Sequence, residues 1–231
     1  MTDQSEQMLL GRYRRLHAAG KGGFATVEVG WDTRLQRRVA IKRISLKAYQ
    51  EYQPTESQAY PGAIDLPGLQ EARTAALLND AHIVRVIDFQ TTEDEAFIIM
   101  EYVDGPTLTE VLMAADELLD LDIIAALIRD IAQALICAHE NQVLHLDIKP
   151  DNVLLDMSNG HAKVTDFGLA QLASSSGYSS SRGGSCGFMP PEQIDGSIVD
   201  ERSDLWSFAI LSYQLLTGMN PFLTRSPRSE E

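Results

Sequence analysis

Two carboxylates and an amide fall within a short span in the second half of the chain. His145-Leu146-Asp147-Ile148-Lys149-Pro150-Asp151-Asn152 is followed by Asp166-Phe167-Gly168, and nineteen positions separate Asp147 from Asp166. Asn152 and Asp166 supply hard oxygens of the kind that bind Mg²⁺, and Asp147 is a separate carboxylate that can accept or orient an incoming hydroxyl. Such residues need a rigid scaffold to bring them together. Val153-Leu154-Leu155 reads as a short apolar strand, Ser158-Asn159-Gly160 as a turn, and Ala162-Lys163-Val164-Thr165 as a second strand that delivers Asp166. A hairpin of this kind carries all three groups to one end of a small sheet. An ordinary hairpin with a solvated Asp and Asn is the rival reading, and the remaining motifs weigh against it.

A second chemical feature stands near the amino terminus. Gly20-Lys21-Gly22-Gly23-Phe24-Ala25-Thr26-Val27-Glu28-Val29 reads as a hairpin whose glycines let backbone N–H groups approach phosphate oxygens. Phe24 at its tip would cover those phosphates from water. A glycine-rich turn alone is a weak signal, but Val39-Ala40-Ile41-Lys42 follows as a short apolar strand that ends on a lysine.

H-x-D-x-K-P-x-N followed by D-F-G resembles the catalytic core of the eukaryotic-type protein kinases. Lys149, two places after Asp147, is similar to the serine/threonine branch. The wording of Gly20–Phe24 and of Met189-Pro190-Pro191-Glu192-Gln193 resembles the bacterial members. The resemblance implies a fold of the α+β class, with two lobes, ATP and Mg²⁺ as cofactors, and proteins with Ser or Thr hydroxyls as substrates. It assigns Gly20, Lys21, Gly22 and Gly23 to the phosphates, and Lys42 to the α- and β-phosphates with Glu71 as its ion-pair partner. Val27, Ala40 and Leu154 would sandwich the adenine. Met100 would guard the back of that pocket, and Glu101 and Val103 would hydrogen-bond the base through their backbone. Asn152 and Asp166 would hold the metal, Asp147 would orient the hydroxyl, and Lys149 would steady the transferring phosphoryl group. An acid at a helix start also favours the helix dipole, so Glu71 carries a purely structural alternative.

The chain departs from the family pattern at four places. Ala25 stands where the loop wants a third glycine. Leu146 replaces the arginine that pairs with a phosphorylated activation segment, so control through that contact is not expected. In Gly184-Ser185-Cys186-Gly187-Phe188-Met189-Pro190-Pro191-Glu192, Ser185 replaces the commoner Thr and Pro190 replaces Ala. The serine-rich stretch Ser174 to Ser181 fits flexible-loop chemistry as well as it fits phosphorylation.

The elements that must position these groups follow from pattern. Residues 9–101 form the expected small lobe, with a helix from about Leu69 to Leu78 on a five-stranded antiparallel sheet. Its last strands are Ile83 to Phe89 and Ala96 to Met100. Arg43 to Gly68, with Pro54, Pro61 and Pro67, reads as an extended loop. Residues 102–106 are the expected hinge and 107–223 the expected large lobe, mainly helical. Thr107 to Met113 is a short helix there, and Leu121 to Asn141 a long amphipathic one. A nearly wholly apolar helix follows from Asp204 to Leu216, with Ser203 as its N-cap, and it should be covered all round. The resemblance stops near residue 223, before the family's last helices, and a polar tail fills 224–231. That implies an uncovered face, poor solubility, dimerisation, or a need for the missing segment. The usual arginine partner of Glu192 would also lie there.

Composition narrows the function classes. Apolar residues make up 44% and charged residues 23%, ordinary for a soluble domain, and no apolar run approaches membrane-spanning length. A formal charge of −14 without a basic run argues against a nucleic-acid partner. Cys137 and Cys186 are too few for a disulfide framework or zinc cluster, so a reducing cytoplasm is expected, with Cys137 a buried thiol. The leading reading is an ATP-dependent serine/threonine protein kinase. A pseudokinase or ATP-binding scaffold, silenced by the missing helices, is the main alternative, and a small-molecule kinase is a third.

Overall fold

The computed structural model describes residues 8–21, 25–47, 69–167 and 187–223, without the side chains of Lys21, Gln70 and Glu71. Several expectations lie outside the described residues: Gly22, Gly23, Gly168, the segment from Ser174 to Cys186, most of the proline-rich loop, and the polar tail. The described chain divides into two compact units, one formed by residues up to 77 together with 84–103, the other by 78–83 together with the chain from 104 onward.

The first unit is built on an antiparallel sheet in the order β1 (Met8–Leu9), β2 (Tyr13–Lys21), β3 (Ala25–Asp32), β4 (Arg37–Ser45), β6 (Glu95–Glu101) and β5 (Val86–Thr91). Among the described residues the sheet has six strands where five were expected, because Met8 and Leu9 pair with Arg14 and Tyr13. Alternation along β4 sends Val39 and Ile41 to one face, where they pack with Tyr13, Phe97 and Ile99 as a core. Ala40 and Lys42 therefore belong to the opposite face. β4 also continues three residues past Lys42. Arg43 explains the extension: its guanidinium donates to Glu28 on β3 at 2.8 Å and to Glu95 on β6 at 2.7 Å, fastening three adjacent strands. The helix α1 (Leu69–Ala76) packs near β5 and ends two residues before the expected limit.

A second clamp closes the turn after β3. Asp32 is fully buried and takes a two-pronged hydrogen bond from Arg12, at 3.0 and 2.6 Å, plus the backbone N–H groups of Arg34 and Leu35. The Arg12 guanidinium, helped by those N–H groups and opposed by burial, pulls the Asp32 carboxyl down to about 2.

The second unit is mainly helical. α2 (Leu108–Ala114) opens with a capping box in which Thr107 and Glu110 satisfy each other's backbone N–H groups. α3 (Leu121–Glu140) matches the expected long helix and buries Ile124, Leu127, Ile131 and Leu135. It ends on Gln142, whose φ of 59° is left-handed, with Gln142 N–H bonded to His139 O and Val143 N–H to Ala138 O. Beside α3 lies the hairpin of β7 (Val153–Asp156) and β8 (His161–Val164). Its turn is organised by Asp156, which accepts from Ser158 and Asn159 and is thereby held below its ordinary carboxyl value. Gly160 supplies the φ of 77° that the turn requires.

Among the described residues this unit also holds the helices α4 (Pro191–Asp195) and α5 (Glu201–Thr217). The N-cap of α5 is Asp200, not Ser203, since its carboxylate accepts from Arg202 N–H at 2.9 Å and starts the helix a turn early. Ser203 is instead the first residue of a buried stripe made of Ser203, Asp204, Ser207, Leu211 and Leu215. Leu205, Trp206, Tyr213 and Leu216 face outward, with Leu205 51% exposed. The expectation of burial on every side is thus corrected: the stripe turned inward is largely small and polar, and the helix is held there by hydrogen bonds as much as by apolar area.

Candidate active site

Several of the residues assigned to nucleotide stand in register across the first unit's sheet. Gly20 stands opposite Val27, Val27 opposite Lys42, and Lys42 opposite Ile98, so strands β2, β3, β4 and β6 align them. Two residues along, Ala40 pairs with Met100 and with Val29, and Glu101 pairs with Val39. Directly opposed residues share a face of an antiparallel sheet, which puts Val27, Ala40, Lys42 and Met100 on one surface. Lys42 is only 4% exposed, and an ammonium so far from water demands an anionic partner. Glu71 lies in the first turn of α1, as expected, but its side chain is outside the described set. Val103 closes this unit, nearly buried.

In the second unit the hydrogen bonds converge on Asp147. Lys149 Nζ donates to Asp147 Oδ2 at 2.7 Å, and Asn152 Nδ2 donates to the same oxygen at 2.9 Å and to the Asp147 carbonyl at 2.8 Å. Asp147 N–H is received by His145 Nδ1 at 3.2 Å, so the proton of that imidazole sits on Nε2, which donates to Thr165 O at 2.9 Å. His145 is fully buried and also meets the Phe167 ring edge-on at 4.6 Å. One imidazole therefore ties the segment around Asp147 to the two residues that flank Asp166. Thr165 N–H donates to Asn152 O at 3.0 Å, which draws Asn152 and Asp166 to the same end of the β7–β8 hairpin. Leu154, in β7, bridges to Thr107, and Leu155 N–H donates to Pro106 O. Gly105 sits so close to this strand that a Cβ on it would meet Leu155 O.

Backbone strain brackets the cluster. Leu146 and Asp166 have φ values of 58° and 64°, a region that costs a side-chain-bearing residue roughly 1–2 kcal/mol. Leu146 is buried, and its strained backbone is held by Asp204, whose carboxylate accepts from Leu146 N–H at 2.7 Å and His145 N–H at 2.9 Å. His139 Nε2 supplies a third hydrogen bond to Asp204 at 2.8 Å. Burial pushes the Asp204 carboxyl upward, but the His139 hydrogen bond, the nearby His145 and the two N–H groups outweigh it and hold it below its ordinary value. Sequence reasoning had given Asp204 no role beyond membership of an apolar helix. Its signal is an acid on the same helical stripe as Ser203, Ser207, Leu211 and Leu215, small and apolar side chains that mark a face turned inward and so ask for buried partners.

Nearby, Glu192 at the start of α4 accepts from Ser203 Oγ at 2.6 Å, and Ser207 Oγ donates to Phe188 O at 2.8 Å. The carboxylate expected to need a distant arginine thus has a partner on α5. Cys137 is a half-buried free thiol, pushed upward by burial.

The antiparallel sheet with its helix, the helical second unit and the convergence on Asp147 define a protein-kinase-like fold. The protein kinase domain family matches residues 13–231, and the chain belongs to that family. It is 36% identical to the serine/threonine-protein kinase PknB of Mycobacterium tuberculosis over 226 residues, covering 94% of this chain and 34% of PknB. The serine/threonine-protein kinase PrkC of Bacillus subtilis is also 36% identical, over 92% of this chain and 31% of its own length. This chain therefore spans about a third of the length of these curated relatives. Among solved structures, Rad53 residues 1–466 in complex with AMP-PNP superimposes with a TM-score of 0.71 at 26% identity, covering 94% of this chain and 51% of that one. Among the described residues, no helix is long and apolar enough to cross a membrane.

Proposed function

We propose that this chain is the catalytic domain of a bacterial-type serine/threonine protein kinase, moving the γ-phosphoryl group of ATP to a protein hydroxyl. The observation that carries the reading is the grip of Lys149 and Asn152 on Asp147, with His145 linking that carboxylate to the flanks of Asp166. Asp147 receives or orients the proton of the acceptor hydroxyl. Its Oδ2 is already hydrogen-bonded by Lys149, which leaves the ammonium beside the point where phosphoryl charge develops. Lys42 and the Gly20–Gly23 turn take the phosphates, Glu71 pairs with Lys42, and Val27, Ala40, Met100, Glu101, Val103 and Leu154 receive the base.

The donor set also fits a magnesium ion. Asn152 and Asp166 are oxygen donors fixed to one end of a hairpin, and Asp166 is held in a backbone conformation that an ordinary residue avoids. Bound there, Mg²⁺ would neutralise phosphate charge. The residues' own contribution is positioning, with little covalent chemistry by the protein. Residues 9–101 would be the small lobe, 102–106 the hinge and 107–223 the large lobe. The division between Val103 and Asp104 supports that hinge.

The deciding experiment is transfer of radiolabelled phosphate from ATP to a basic protein, with Asp147→Asn beside the wild type. Turnover should fall by roughly 10²–10⁴-fold in the variant, the usual worth of a positioned acid–base group. Asp166→Asn should abolish Mg²⁺-dependent transfer while the far-ultraviolet circular dichroism stays unchanged. A wild type that binds ATP yet transfers no phosphate would make the chain a scaffold instead.

A further inference from the structure

Three side chains outside this site converge from three separate elements. His82 lies in the connection between α1 and β5, Asp130 in the middle of α3, and His161 at the first position of β8. Asp130 Oδ2 is 3.2 Å from His161 Nδ1 and 3.6 Å from His82 Nδ1. One ligand atom from each of the three lies within 4.8 Å of the others, and the imidazoles meet edge-on at 5.2 Å. We propose that His82, Asp130 and His161 form a binding site for a transition-metal dication, zinc by preference.

The spacing carries the argument. A tetrahedral zinc with ligand bonds of about 2.0–2.1 Å has ligand–ligand edges of roughly 3.3 Å. The two oxygen–nitrogen separations bracket that length and the edge between the imidazoles is at most 4.8 Å, so side-chain rotations that draw the two rings together admit the ion. Two imidazoles and one carboxylate suit zinc and its neighbours, whereas magnesium prefers oxygen ligands alone. The fourth position falls to water, because His161 is exposed while Asp130 is buried.

The supporting hydrogen bonds hold the ligands from behind. Ala162 N–H donates to Asp130 Oδ2 at 3.0 Å, fixing the carboxylate. Asp80 Oδ1 accepts from His82 N–H at 2.7 Å, and Asn159 Oδ1 accepts from His161 N–H at 2.9 Å, so both histidine backbones are pinned. Without metal, His82 Nδ1 can donate to Ala162 O at 3.2 Å and His161 Nδ1 to Asp130 Oδ2, which keeps the cluster satisfied. On metal binding each ring moves that proton to Nε2 and offers its Nδ1 lone pair, with no net loss of protons. The ion would clip α3 to β8, the strand that runs into Asp166. Val164 N–H, bonded to His82 O at 2.8 Å, already joins two of the three elements.

The test uses the full chain, stripped with chelator and kept in excess magnesium so that oxygen sites stay filled. Cobalt(II) should bind with one equivalent, show visible ligand-field absorption without a thiolate charge-transfer band, and be displaced by zinc. Zinc should raise the thermal midpoint of the wild type. His161→Ala, a change at an exposed position that leaves the fold intact by circular dichroism, should weaken zinc by about tenfold or more. His82→Ala should do the same. Equal affinity in His161→Ala, a thiolate band that places the ion at cysteine, or no saturable binding by the wild type would each overturn the proposal.

Discussion

Asp204 makes three hydrogen bonds at full burial without belonging to the set that would meet substrate. An asparagine there keeps one acceptor oxygen for three donors and loses the charge. Asp204→Asn should therefore destabilise the protein by about 3 kcal/mol, the lower range for breaking a buried charged network, as read from urea midpoints. Its carboxyl is held below the ordinary value, so its contribution is complete above the unfolded value of about 3.9 and fades as pH falls through the folded one. Asp32 behaves alike, its contribution fading from near the unfolded value down toward pH of about 2. Urea midpoints across this acid range should drop in the wild type and drop less in Asp204→Asn. The grouping of Asp147, Asn152 and Asp166 was legible because local spacing and a hairpin suffice to bring them together. The role of Asp204 was not, since its backbone partners are 58 and 59 positions away and only tertiary packing introduces them.

Helix α5 shows where periodicity misleads. Its apolar residues outnumber its polar ones, yet the stripe that faces inward is Ser203, Asp204, Ser207, Leu211 and Leu215. Counting apolar residues could not say which side faces the core, because the polar groups on that side are satisfied by Glu192, Phe188 and the backbone around Leu146. Leu211→Ala should cost about 2–5 kcal/mol. Leu205→Ala, on the outward side, should stay within about 0.5 kcal/mol. A reversed ranking in chemical denaturation would mean that the outward face is covered. The end of α3 offers a gain. Gln142 is exposed and left-handed in a full helix-ending motif, where glycine has no Cβ penalty, so Gln142→Gly should stabilise by about 0.5–1 kcal/mol. By contrast, α2 follows from its Thr107–Glu110 capping box, α3 from the apolar face that carries Ile124, Leu127, Ile131 and Leu135, and the pairing of β3 with β4 from alternation, all of which act within a few positions.

Across the molecule, the net charge of −14 is a uniform load that local ion pairs relieve only in places. Arg43 between Glu28 and Glu95, and Arg12 on Asp32, are partly buried and lose little to screening. The remaining acidic surface repels itself, and added salt weakens that repulsion. The thermal midpoint should therefore rise when sodium chloride goes from about 0.02 to about 0.2 M, a range over which the screening length shrinks several-fold. A fall would mean that favourable surface pairs outweigh the net repulsion. Charge was legible from composition alone. Its spatial compensation was not, because Arg43 reaches Glu95 across 52 positions of chain.

The close approach of Gly105 to Leu155 O makes that position a handle for genetics. A single methyl there would wedge the stretch that carries Pro106 away from β7, loosening the Leu155 N–H to Pro106 O bond and the Thr107–Leu154 bridge, while every assigned phosphate, metal and proton ligand stays chemically intact. Gly105→Ala should behave as a conditional allele: competent at low temperature, where the wedged form still closes, and silent a few degrees below the wild-type melting point. Such a strain would let the protein be switched off by warming, without a drug and without a dead active site.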